Sequence, residues 1–104
     1  MAIFQENGNT YVMTNHMVDR QAERGISHNV IAFTIRTGKE VKHYVNERGN
    51  QTYRIYGPWV GGRRVVVAWA NDNGTRVIAT VFHEEGGAKA APAAARRPNV
   101  RRRR

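Results

Sequence analysis

The hydrophobic period of this chain changes at Gly38, and that change constrains the fold more than any other feature. Before Gly38 the spacing is helical: "HNVIAFTIRT" puts Val30, Ile31, Phe33 and Thr34 at helix intervals until the glycine stops the run. Upstream, Thr14 is a good N-cap, and the run to Arg24 ends at Gly25, the residue best suited to a left-handed C-terminal position. Ser27 caps the second helix. After Gly38 the pattern has a period of two. "KEVKHYVN" alternates, "ERGN" turns the chain, "QTYRIYG" is rich in strand formers, and "PWVGG" is another breaker. "RRVVVAWA" and "TRVIATVFH" are β-branched or aromatic, with the hairpin signal "NDNG" between them. The N-terminal "AIFQE" and "NTYVM" are candidates for an extra short hairpin. The spacing therefore predicts an α+β fold, with two N-terminal helices packed on one face of a four-stranded antiparallel sheet, a meander.

A chain of 104 residues has room for one small domain with a modest core, read here as residues 1–85. Its net charge of +9 looks like a nucleic-acid signature until its location is checked. Seven of the basic residues, and no acidic ones, stand from Gly86 onward, which leaves +2 for residues 1–85. That tail, "GGAKAAPAAARRPNVRRRR", has almost nothing to bury, so residues 86–104 are expected to be disordered and to strengthen binding to any polyanion without choosing a sequence. There is no cysteine, hence no disulfide framework and no thiolate zinc site. The first residues lack a basic start followed by an apolar run, and no segment approaches bilayer length. No membrane association is expected, and the protein reads as cytoplasmic.

The stretch "TNHMVDRQAERGIS" carries His16, Arg20 and Arg24 at four-residue steps, which stacks them as one basic stripe on a helix face. With Asp19 and Glu23 interleaved, the same residues also describe an exposed, salt-bridged helix. The His followed four residues later by Arg, and then "ERGIS", resembles the opening of the domain-of-unknown-function 4258 family. So does the last strand, "VIATVF", where that family commonly has a Thr after the branched pair. Met17 stands where the family often has Ala, and Ala79 stands before the Thr as an additional residue. The family is similar to the barnase, EndoU, colicin and RelE-like ribonuclease superfamily, many of whose domains are toxins. The resemblance implies catalytic roles for His16, Arg20, Arg24 and Thr80. It also implies RNA as substrate and an antitoxin or immunity protein as partner.

Metal-independent RNA cleavage needs a base for the ribose 2′-hydroxyl, an acid for the leaving 5′-oxygen, and cations around the phosphorane. An imidazole such as that of His16 suits acid or base work near neutrality. Arg20, Arg54 or Lys42 can clamp phosphate, Thr80 can donate to it, and Tyr53 or Tyr56 can stack on a base. On "QTYRIYG", alternation puts Thr52, Arg54 and Tyr56 on one face and Tyr53 and Ile55 on the other. If helices cover the second face, Arg54 and Tyr56 line an open one, and with Lys42 they are the candidate substrate-binding residues. The four histidines show no close paired spacing, so neither a metal nor a cofactor is expected. "GPWVGG" lacks the Lys and helix start of a phosphate loop and reads as a turn, with Trp59 and Trp69 as packing residues. The alternative to an RNase-like toxin is a non-enzymatic nucleic-acid- or protein-binding accessory on the same scaffold. Because the tail holds most of the charge, deleting residues 86–104 is expected to weaken polyanion binding and leave the thermal midpoint nearly unchanged. A large fall in the midpoint, measured by calorimetry, would show that the tail packs on the domain.

Overall fold

The computed structural model describes residues 1–86, so the disorder expected for the tail lies, from residue 87 on, outside the described residues. The chain order is β1 (Ala2–Glu6), β2 (Asn9–Met13), α1 (Asn15–Glu23), α2 (His28–Thr37), β3 (Lys39–Val45), β4 (Gln51–Tyr56), β5 (Arg63–Asp72) and β6 (Thr75–Glu85). Both helix caps form as the residues dictate: Thr14 accepts from the Met17 N–H and Ser27 from the Val30 N–H. The β1–β2 and β5–β6 hairpins turn on Asn7–Gly8 and Asn73–Gly74, whose φ values of 54°, 79°, 53° and 87° match the twist of the flanking strands. Asn7 also donates its side-chain amide to the carbonyls of Ile35 and Arg36, tying the first turn to the end of α2.

The sheet is a correction to the four-stranded antiparallel one expected from the sequence. It has six strands in the order β1-β2-β6-β5-β4-β3 and is mixed. Strands β3 to β6 run as an antiparallel meander, but the N-terminal hairpin joins it through a parallel pairing of β2 with β6. That pairing consists of Tyr11 opposite Arg76 and Val12 opposite Val77, residues 65 apart in the chain, so no local turn signal announces it. A second irregularity lies in β6. Ala68 faces Thr80 and Trp69 faces Ile78, which leaves Ala79 as the unpaired residue of a β-bulge. Ala79 is thus taken up by the bulge, and Thr80 stands opposite Ala68.

Because β2 and β3 sit on opposite sides of the meander, the connection through α1 and α2 must pass over β6, β5 and β4. Helix α1 lies against β6, while α2 lies against β5, β1 and β4. Their buried residues, Met17, Ile31 and Ile35, share one core with Met13, Ile55, Val67, Trp69, Ile78 and Val81. Trp69 is its aromatic centre, stacked on Tyr53 at 4.3 Å and met edge-on by Tyr11 at 5.7 Å. Its indole N–H donates to Glu40 at 3.1 Å, so the buried donor is satisfied.

The helix-to-strand junction is the tightest point. A Cβ on Gly38 would lie 2.5 Å from the Thr34 carbonyl oxygen, 2.7 Å from Ile55 Cγ2 and 2.8 Å from the Tyr56 carbonyl oxygen. Its φ of −79° is open to any residue, so the constraint is space. Gly38→Ala is expected to cost about 1–3 kcal/mol in denaturant unfolding, the usual range for overpacking. An unchanged midpoint would mean that the α2–β3 junction can shift.

Candidate functional site

Helix α1 turns Met17 and Gln21 inward and leaves His16, Arg20 and Arg24 exposed on successive turns. Among the described residues, no salt bridge involves Asp19, Arg20, Glu23 or Arg24, so the stripe is not held by ion pairs along the helix. Arg24 is used otherwise. Since β2 covers β6 only at Arg76 and Val77, the edge of β6 beyond Val77 has no strand partner on that side among the described residues. Arg24 fills this gap, its Nη1 donating to the Val81 carbonyl at 2.6 Å and to Thr80 Oγ1 at 3.1 Å. The guanidinium thus closes an open sheet edge and fixes the end of α1, and as it donates to Thr80 it leaves the hydroxyl proton free for an acceptor.

The register places Thr80, Ala68 and Arg54 side by side, because Ala68 is opposite both Thr80 and Arg54. Directly opposed residues share a face, so this row lies on the side of the sheet away from the helices. Thr80 and Arg54 are two strand spacings apart, about 10 Å at the backbone. Arg54 shortens that gap: its guanidinium reaches across β5 to lie 5.5 Å from the Phe82 ring, on the strand that carries Thr80. Arg24 thus bonds to Thr80 from the sheet edge, while Arg54 stands in the same cross-strand row, across Ala68, with its guanidinium on the neighbouring Phe82 ring. Tyr56 is on this face as well, 3.3 Å from His43 Nε2.

Other predicted residues stand apart from this row. Lys42 is opposite Tyr53 and so faces the helix side, not the side of Arg54 and Tyr56. His16 lies two turns upstream of Arg24, about 12 Å along the axis, and the structure brings neither it nor Arg20 into contact with Thr80. The open face also holds residues that sequence reasoning passed over. Arg64 is sandwiched between Tyr56 at 4.5 Å and Trp59 at 4.2 Å and donates from Nε to Glu84 at 2.6 Å. This sandwich and Phe82 cover Val66, which is fully buried on the side without helices. Alternation within "RRVVVAWA" could have assigned Arg64 to the face of Ala68, but its aromatic partners depend on register and loop geometry.

Two groups have displaced titration, Tyr11 and His83. Burial pushes the Tyr11 phenol up, and the Glu40 carboxylate adds to the effect. Burial lowers His83, and the neighbouring Arg63 lowers it further. Among the described residues no cluster of three His, Cys, Asp or Glu side chains is placed to hold a metal ion. No helix among them is long and apolar enough to cross a membrane.

Arg24 and Arg20 separate structural from solvated cations. Arg24→Ala is expected to cost about 1 kcal/mol and to speed amide exchange in β6 near Thr80, since it leaves the Val81 carbonyl without its donor. Arg20→Ala is expected to stay within about 0.5 kcal/mol of the parent. Equal effects in denaturant unfolding would contradict this division.

The family model described as Domain of unknown function (DUF4258) matches residues 13–83, a span that opens at the last residue of β2 and closes at His83 of β6. No curated protein and no solved structure matches the chain. The matched span includes the α1 stripe, the Arg24–Thr80 contact and the row to Arg54. With more than half of its length matched, the chain belongs to the DUF4258 family.

Proposed function

We propose that this protein is a metal-independent ribonuclease-like toxin domain that cleaves RNA through the 2′-hydroxyl, with the phosphate held at Thr80. The observation that carries this reading is the Thr80 hydroxyl bonded by Arg24, with Arg54 in the same cross-strand row of the open face. Such a group suits a phosphate oxygen: Thr80 donates its proton, and two cations offset the charge that grows on the phosphorane. Arg54 is the freer cation, because its contact is a ring face, whereas Arg24 is already bonded to a backbone carbonyl. Arg24 therefore acts chiefly by positioning Thr80. His16 is the candidate acid or base, and as it stands two turns from Arg24 this role requires an RNA that spans the α1 stripe as well as the Thr80 row; Tyr56 is the candidate base-stacking group beside the row. A toxin of this kind requires a neutralising antitoxin or immunity protein, and a basic face calls for an acidic one.

One observation favours the second reading, a non-enzymatic nucleic-acid- or protein-binding accessory. His16 has no orienting hydrogen bond among the described residues, whereas catalytic bases are normally held by a third group. Incubation with total RNA in EDTA separates the two. The ribonuclease reading expects fragments ending in 2′,3′-cyclic phosphate. It also expects a rate loss of about 100-fold or more for His16→Ala, the usual scale for a general acid or base. Arg54→Ala is expected to slow cleavage without unfolding the domain. Binding of RNA without cleavage by the parent would favour the accessory, and full activity in His16→Ala would remove that residue from the mechanism.

A further inference from the structure

A cleft of about 350 Å3 lies on the helix-bearing side of the sheet, where α2 passes the loop between β4 and β5. Val30 and Phe33 of α2, Pro58 and Val60 of the loop and Val65 of β5 supply its apolar lining. Its size and apolar lining are those of a small-molecule site, and its walls are fixed before anything binds. Helix α2 is anchored from below by Ile31 and Ile35. The opposite loop is locked by reciprocal hydrogen bonds between Val60 and Arg63, of 2.8 and 3.2 Å, and by the bond from Gly57 N to the Val65 carbonyl at 2.9 Å. This rigid loop holds Val60 72 % exposed, facing Phe33 at 44 %, an arrangement that costs apolar hydration and gives the fold no core contact in return.

The lining is not wholly apolar. Thr34, Arg63, Arg64 and His83 also border the cleft; Arg64 is already held by Glu84 and its two aromatic neighbours, whereas Arg63 has Nη2 3.1 Å from His83 Nδ1. Burial and the adjacent guanidinium favour the neutral imidazole, so Arg63 is the charged group of the pair. Its acidic partner is Glu85 at 3.3 Å, in a pair whose side chains are 52 % and 70 % exposed. An ion pair so open to water is weak, and another carboxylate can take its place.

We infer that this cleft binds a small monocarboxylate with an aromatic or branched aliphatic body, the body lying between Phe33 and Val60 and the carboxylate on Arg63. The assignment rests on charge complementarity at one end of an apolar cleft and is independent of the reading of the Thr80 row. The full chain, labelled with 15N, is titrated with 3-phenylpropionate and, separately, with the neutral 3-phenylpropan-1-ol. Saturable shifts are expected at the amides of residues 30–34, 60–65 and 83, with the acid binding about tenfold tighter than the alcohol, as one charged hydrogen-bonded contact provides. Arg63→Gln is expected to reduce the acid to the level of the alcohol and leave the alcohol unchanged. Glu85→Gln, a change at an exposed side chain, is expected to tighten the acid alone by removing its competitor. The inference is overturned if no saturable shift occurs up to the order of 10 mM, if acid and alcohol bind equally, if Glu85→Gln weakens the acid, or if the shifts map to the Thr80 row.

Discussion

When β2 ends at Met13, the chain must pass β6, β5 and β4 before it can lay down β3 at the far edge of the sheet. That is a sideways distance of about 19 Å at ordinary strand spacing. Helices α1 and α2 are the bridge, and their course over a single face decides where the core forms. The bridged face receives Met17, Ile31 and Ile35 and becomes that core, while the other face carries no second layer among the described residues. Two capped helices of nine and ten residues are too short to be stable alone, so their stability depends on this burial.

The uncovered face is nevertheless not left to water. Val66 is completely buried there, beneath the Tyr56–Arg64–Trp59 sandwich and the Phe82 ring on which Arg54 lies. Arginine suits this task because its planar, weakly hydrated head can lie flat on a ring while its stem covers aliphatic surface. One consequence is a face that is both protected and cationic. Another is that Arg54 is held in the cross-strand row of Ala68 and Thr80. A lysine in either position would keep the charge and lose most of the cover.

The short β2–β6 pairing has a comparable double effect. Because it stops at Val77, β6 keeps an unpaired edge beside α1, and Arg24 bonds to that edge. The bulge at Ala79 lies just before the contact and keeps Thr80 opposite Ala68. A helix residue, a sheet edge and a bulge thereby define one small region, and the family match spans all three.

Much of this was legible in the residues. The caps at Thr14 and Ser27, the breakers at Gly25 and Gly38 and the Asn-Gly turns act within a few residues, so local residue order located the helices and hairpins. The stripe His16, Arg20, Arg24 followed from helical periodicity, and the separation of Arg54 and Tyr56 from Tyr53 and Ile55 followed from the pleat. Other features depend on partners distant in the chain. Sequence reasoning stopped at four strands because the link of β2 to β6 is two residue pairs with no turn between them. It grouped Lys42 with Arg54 and Tyr56, although the β3–β4 register puts Lys42 on the opposite face. Local propensity thus determined which segments are helix, strand and turn. Only tertiary structure decided strand order, register, the Arg24–Thr80 contact and the row that Thr80 shares with Arg54, because these depend on which distant surfaces bury one another.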